Sequence, residues 1–242
     1  MTMINMTNKT RKTTPSSPPC EGVERGVVIN SMHENTLTNE ELEILQEIMN
    51  IAFGRATSDL AEIIDVYIKL SVPYVNVLKA VELPAYIKKE LKDYGNISLV
   101  EQRFWGNFKG LALLVFPSGA GKELIALLSG DKYEFIEFDT IDELEKETLM
   151  EVGNILIGAC IGKMSDLLKD IITFSPPTVL IENHPNNAIP KSIFDPDDTT
   201  IILRTIFRFE KKDIEGFLFL LVRHESINLL KKALNEFMEQ YK

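Results

Sequence analysis

The sequence predicts an α/β fold of the α+β kind: a pseudo-twofold duplication whose halves share one mostly antiparallel β-sheet flanked by long helices. Three observations predict it. The octet EIMNIAFG at residues 47–54 returns as EVGNILIG at residues 151–158. Pro73 and Pro177 each follow the Asn of their octet by twenty-three residues, and each precedes a β-branched run. Each half then carries two strand-like runs joined by a tight connection, and closes on an amphipathic segment.

The first helix starts at Thr38. Thr38-Asn-Glu-Glu41 has the form of a capping box. Apolar residues then recur at Leu42, Leu45, Ile48/Met49, Ala52, Ala56, Leu60 and Ile63/Ile64, a helical period held for about seven turns. Its counterpart runs from Asp142 to about Ile171. Strands are expected at Tyr74–Leu78 and Thr178–Ile181, then at Ile97–Trp105 and Gly110–Phe116 in the first half and Thr200–Phe209 and Gly216–Val222 in the second. GNFKG and EKKDIEG join the paired strands. Gly121–Leu128 and Glu225–Phe237 read as the closing helices. A short helix at Pro84–Lys92 interrupts the first half, where the second has a Pro/Asn/Asp-rich loop, His184–Asp198. Residues 1–36 are rich in Thr, Ser, Pro and Asn and are expected to be a disordered leader or tag. Met32 is a candidate natural start. Residues 37–242 form the folded domain, with halves at about 37–138 and 139–242.

Composition narrows the function classes. The chain has 242 residues, 45% apolar and 26% charged, with a formal net charge of −10 and a pI of about 4.9. Such a surface repels phosphate backbones, so nucleic acid is not the expected partner. Two cysteines, Cys20 and Cys160, make no disulfide framework, and three scattered histidines make no zinc site. No apolar run reaches a membrane span and no secretory signal opens the chain. A cytoplasmic protein is expected. Ser118–Glu123, SGAGKE, lacks the Gly and Ser/Thr of a phosphate loop and reads as a strand-to-helix turn. Cys160 reads as a packed thiol, and Trp105 as core or edge packing at a strand end.

The candidate site is the octet itself. Glu43, Glu47, Asn50 and Gly54 are spaced to share one helix face, away from the apolar stripe, and so are Glu147, Glu151, Asn154 and Gly158. One such face alone is ordinary solvated surface. Two in equivalent places, each with a poor helix former mid-helix, point to function. The pair cannot be an acid/base dyad, because an amide does not titrate. With one carboxylate and no His it is not a metal site, and no nucleophile lies beside it. An exposed carboxamide holds a water by donating and accepting together, and an exposed carboxylate anchors a basic group of a docked protein. Together they suit delivery of a positioned water to a partner that supplies its own metal and electrophile.

The pattern [D/S]-x3-E-x2-N-x22-P, present twice in LQEIMNIAFGRAT and LMEVGNILIGACI with their prolines, resembles that of the CheC/CheX/FliY family of chemotaxis phosphatases. The resemblance covers roughly residues 38–242. It implies a CheC-like fold of two pseudo-symmetric halves, and hydrolysis of the aspartyl-phosphate on the response regulator CheY. It implies that Asn50 and Asn154 orient the attacking water and that Glu47 and Glu151 pair with the regulator's active-site Lys. It implies no cofactor of the chain's own, since Mg²⁺ belongs to the regulator, and it implies binding of the deamidase CheD. Two departures stand out. Glu43 and Glu147 replace the family's Asp or Ser, and Met49 replaces the Gly kept as Gly153, which ranks the second site ahead. Two other functions fit less well: an adaptor that binds CheD or sequesters the regulator, and a structural part of the flagellar switch, whose related domain lacks the Glu/Asn pair. The internal duplication makes a monomer the expected state.

Overall fold

The computed structural model describes residues 37–64, 67–129, 138–182, 195, 197–210 and 214–239. The expected leader and most of the His184–Asp198 loop lie outside the described residues.

Two long helices dominate, α1 (Asn39–Ile64) and α4 (Phe138–Leu168). The capping box forms as the sequence predicts: Thr38 N donates to Glu41 Oε2 at 2.7 Å, and Glu41 N donates to Thr38 Oγ1 at 3.2 Å. Helix α4 begins before Asp142 and stops at Leu168, three residues short of the expected end. Lys169 takes a left-handed φ of 53°, and Asp170 N bonds back to Ser165 O at 2.9 Å. That bond turns the chain out of the helix.

The strands are β1 (Ile68–Leu70), β2 (Tyr74–Lys79), β3 (Ile97–Trp105), β4 (Gly110–Pro117), β5 (Thr173–Phe174), β6 (Thr178–Glu182), β7 (Thr199–Phe209) and β8 (Ile214–Arg223). The remaining helices are α2 (Leu83–Glu90), α3 (Ala120–Ser129) and α5 (Ile227–Glu239). Strands β1 and β5 are too short to show alternation, so the sequence pattern misses both.

All eight strands join one sheet, in the order β1-β7-β8-β4-β3-β5, with β2 also on β7 and β6 also on β3. Every pairing is antiparallel. Matching β1 to β5, β2 to β6, β3 to β7 and β4 to β8 reverses the order onto itself, so the pseudo-twofold axis lies between β4 and β8. There a Cβ on Gly110 would run into the Leu221 carbonyl, and one on Gly216 into the Val115 carbonyl.

The halves are also exchanged. Strand β2 of the first half pairs with β7 of the second, and β6 of the second pairs with β3 of the first. A sequence scan finds the repeat but not this crossing, because strand partners are tertiary information. Each half therefore completes the other's sheet edge.

Helices α1, α3, α4 and α5 cover one face. Leu45, Ile48, Ala52, Leu149, Val152, Leu156 and Ile161 meet Val100, Phe104, Leu203 and Phe207 there. On the other face α2 brings Leu83, Ile87 and Leu91 onto Leu111, Leu113, Phe219 and Leu221. Burial on both faces explains why β4 and β8 read as unbroken apolar runs. Cys160 is fully buried, and burial pushes its thiol well above the usual range. The SGAGKE segment is the turn into α3, with Gly119 at φ 83°. Trp105 is half-exposed at the end of β3. Among the described residues no helix is long and apolar enough to cross a membrane.

Candidate functional site

The apolar stripes of α1 and α4 turn inward, so the opposite faces turn to solvent. Glu43, Glu47, Asn50 and Gly54 are exposed on α1, and Glu147, Glu151 and Asn154 are exposed on α4. Each Glu/Asn pair thus shares one face of its own helix, one pair per half. Among the described residues no three His, Cys, Asp or Glu side chains converge as metal ligands.

The two prolines stand directly before β2 and β6, where a strand begins and no N–H is needed. Behind each is a serine clamp. Ser71 N donates to Ile206 O at 2.8 Å, and Ile206 N donates to Ser71 Oγ at 3.0 Å. In the other half Ser175 N donates to Arg103 O at 2.9 Å, and Arg103 N donates to Ser175 Oγ at 3.0 Å. The Ser-x-Pro segment so extends each sheet edge toward the helix carrying the site.

The clamps differ in what reaches past them. Thr205 Oγ1 donates to Ser71 O at 2.7 Å. At the matching place in the other half, Gln102 Nε2 donates to Ser175 O at 3.0 Å and also to Asn154 Oδ1 at 2.8 Å. Gln102 is 2% exposed. The Asn154 carboxamide is therefore tied to the sheet, while the Asn50 side chain has no hydrogen-bond partner among the described residues.

Helix spacing contributes to the difference. A Cβ on Gly153 would lie 2.7 Å from Val100 Cγ1, so α4 rests on β3 through a bare backbone. Met49 holds the same position on α1 and is fully buried. The sequence comparison flags Met49 against Gly153; the consequence appears only in three dimensions.

Glu101 and Arg103 flank Gln102 on β3. Burial raises the Glu101 carboxyl above its usual range, against the opposing pull of Arg103. Between the helices, Lys163 Nζ lies 2.6 Å from Asp59 Oδ2.

The sequence pattern places Glu47, Asn50, Glu151 and Asn154 but overlooks Gln102, Ser71 and Ser175. A signal for Gln102 exists. Strand β3 alternates Val100-Gln102-Phe104 toward the helices, and β7 alternates Leu203-Thr205-Phe207. Both halves put a polar residue where the alternation calls for an apolar one.

Known proteins resemble this chain in sequence and in fold. A model described as the CheC-like family matches residues 144–181, which carry the α4 pair and its serine clamp. The CheY-P phosphatase CheC of Bacillus subtilis (strain 168) is 28% identical over 148 residues, covering 61% of this chain and 69% of that protein. The crystal structure of FliY from Thermotoga maritima superposes with a TM-score of 0.62 at 25% identity, covering 84% of this chain and 98% of that one. The FliM middle domain of Vibrio alginolyticus shares the fold, with a TM-score of 0.52 at 16% identity over 78% of this chain and 99% of that one. The repeated motif, the exchanged sheet and the match over the α4 pair agree: the chain has the fold seen in FliY, and its residues 144–181 match the CheC-like family.

Proposed function

We propose that this chain is a cytoplasmic phosphatase acting on the aspartyl-phosphate of a CheY-type response regulator. The observation that carries the reading is the pair of exposed Glu/Asn faces, with one carboxamide fixed against the sheet. A relative named a CheY-P phosphatase supports it.

Glu47 or Glu151 anchors a basic group of the docked regulator. Asn50 or Asn154 holds a water in line with the phosphorus. The water oxygen bonds to phosphorus, the bond from phosphorus to the aspartyl oxygen breaks, and carboxylate and inorganic phosphate leave. Positioning and charge stabilisation supply most of such a rate. One carboxylate and one carboxamide per site do not fit a divalent-cation cage, so the metal belongs to the regulator. The chain works as a monomer, and CheD binds it as a separate partner.

The test is decay of a phosphorylated CheY-type regulator with catalytic amounts of the chain, beside Asn50→Ala, Asn154→Ala and the double variant. Accelerated decay that the double variant abolishes is the expected result. Equal decay with wild type and double variant would overturn the reading and favour an adaptor that binds the regulator or CheD without turnover.

A further inference from the structure

We propose that Gln102 is a positioning residue for Asn154: it fixes which end of the Asn154 carboxamide faces the docked partner, so that only the α4 site is preset. This rests on the phosphatase reading above and adds a residue and an asymmetry to it.

The chain of donors and acceptors has one possible polarity. Ser175 O is a backbone carbonyl and can only accept. Gln102 must therefore turn its NH₂ end toward it, and that nitrogen spends one hydrogen on Ser175 O at 3.0 Å. The second hydrogen goes to Asn154 at 2.8 Å, so the Asn154 atom on that side is the oxygen. The Asn154 NH₂ group is left as the outward donor, beside one remaining Oδ1 lone pair. Gln102 Oε1 is buried without a partner. The fold accepts the cost of an unmet buried acceptor, where an apolar side chain would avoid it.

The other half lacks the device. Thr205 stops at Ser71 O, and Met49 occupies the place that Gly153 leaves bare. Asn50 is free to rotate and to exchange its O and N ends. A carboxamide that stays mobile in the docked complex and is ordered only as the water is aligned in the transition state loses rate relative to one already held. Freezing one side chain costs about 0.5–1.5 kcal/mol, which is roughly a 2- to 10-fold difference in turnover. The tether also joins the halves, since Gln102 lies on β3 of the first and Asn154 on α4 of the second.

The experiment uses the full chain carrying Asn50→Ala, so that only the α4 site acts. Gln102→Met keeps length without donors. Gln102→Thr installs the residue that the fold already accepts at the equivalent place, Thr205. Decay of the phosphorylated regulator is measured below and above saturation, and the Asn154 side-chain amide is followed by ¹⁵N NMR in the free protein. Expected is a fall in kcat of roughly 2- to 10-fold with KM unchanged, together with a displaced Asn154 amide resonance in both variants. Unchanged kcat in a folded variant, or an Asn154 amide that does not move, overturns the proposal. So does an inactive Asn50→Ala parent beside an active wild type, because the α1 site would then carry the activity. If wild type itself gives no turnover, the phosphatase reading falls, and with it any positioning role for Gln102; the amide resonances then report only whether the tether exists.

Discussion

Asp59 and Lys163 hold the same position in the two halves and pair with each other across the helix interface, Nζ to Oδ2 at 2.6 Å. Their 104-residue offset is the one that relates Asn50 to Asn154 and Pro73 to Pro177. A contact between equivalent positions marks where the pseudo-twofold axis crosses the helix layer. Like residues there would repel; Asp on one helix and Lys on the other attract.

The hydrogen bond from Lys163 to Asp59, then their charge attraction, raises the Lys163 pKa. A raised lysine contributes stability in full below its ordinary range and loses it as pH rises through the raised value. Asp59→Lys and Lys163→Asp should each lower Tm at neutral pH and low salt, and the double exchange should restore it. The differences should shrink at high salt. A double exchange no better than either single one would show that the pair holds nothing.

Gly153 sets the distance between α4 and β3. Gly153→Ala places a Cβ 2.7 Å from Val100 Cγ1, so helix or strand must shift, at a cost of about 1–3 kcal/mol. The reverse change, Met49→Gly, empties a fully buried site and should cost about 2–5 kcal/mol. Urea denaturation measures both. Gly153→Ala should also lengthen the Gln102–Asn154 bond and reduce turnover by the α4 site more than its loss of stability explains.

Much of this arrangement is written in local pattern. The capping box at Thr38, the stripe through Leu45, Ile48 and Ala52, and the long apolar runs of β4 and β8 are properties of neighbouring residues, and they are legible. The Glu/Asn faces are legible for the same reason, since helical spacing alone places Glu151 and Asn154 side by side. The exchange of β2 and β6 is not, because nothing in YVNVLK says that its partner is β7 of the other half. The role of Gln102 depends on that exchange. Its polarity within Val100-Gln102-Phe104 is visible, but its distance to Asn154, fifty-two positions away, is not.

Tyr86 carries a buried hydroxyl with no partner. Burial, then repulsion from Glu90, pushes its pKa up to about 12, against a pull from Arg204. A phenol that must stay protonated in the fold contributes stability below its ordinary pKa of 10.0 and loses it as pH rises toward about 12. Tyr86→Phe removes both the orphaned hydroxyl and the titration. It should leave stability at pH 7 unchanged or raise it by about 1 kcal/mol, and should flatten the alkaline loss. Part of that loss will remain, because burial and then Glu215 also raise Tyr94. Denaturation at neutral and alkaline pH checks both claims; a clear loss of stability at pH 7 would mean that the hydroxyl has a partner after all.

Glu151 and Asn154 share a face of α4 but are assigned different tasks, and kinetics separates them. An exposed carboxylate at the edge of a docked partner acts mainly on encounter and hold. Glu151→Gln, in the Asn50→Ala background, should raise KM roughly 3- to 10-fold at low salt, with kcat changed less than about twofold. The KM difference should narrow as salt screens the charge. Asn154→Ala in that background should instead lower kcat by about 10²-fold, the scale of losing alignment of a reacting group, with KM nearly unchanged. If Glu151→Gln lowered kcat as deeply as Asn154→Ala while leaving KM alone, the carboxylate would be acting on the water rather than on the partner, and the division of labour along α4 would be overturned.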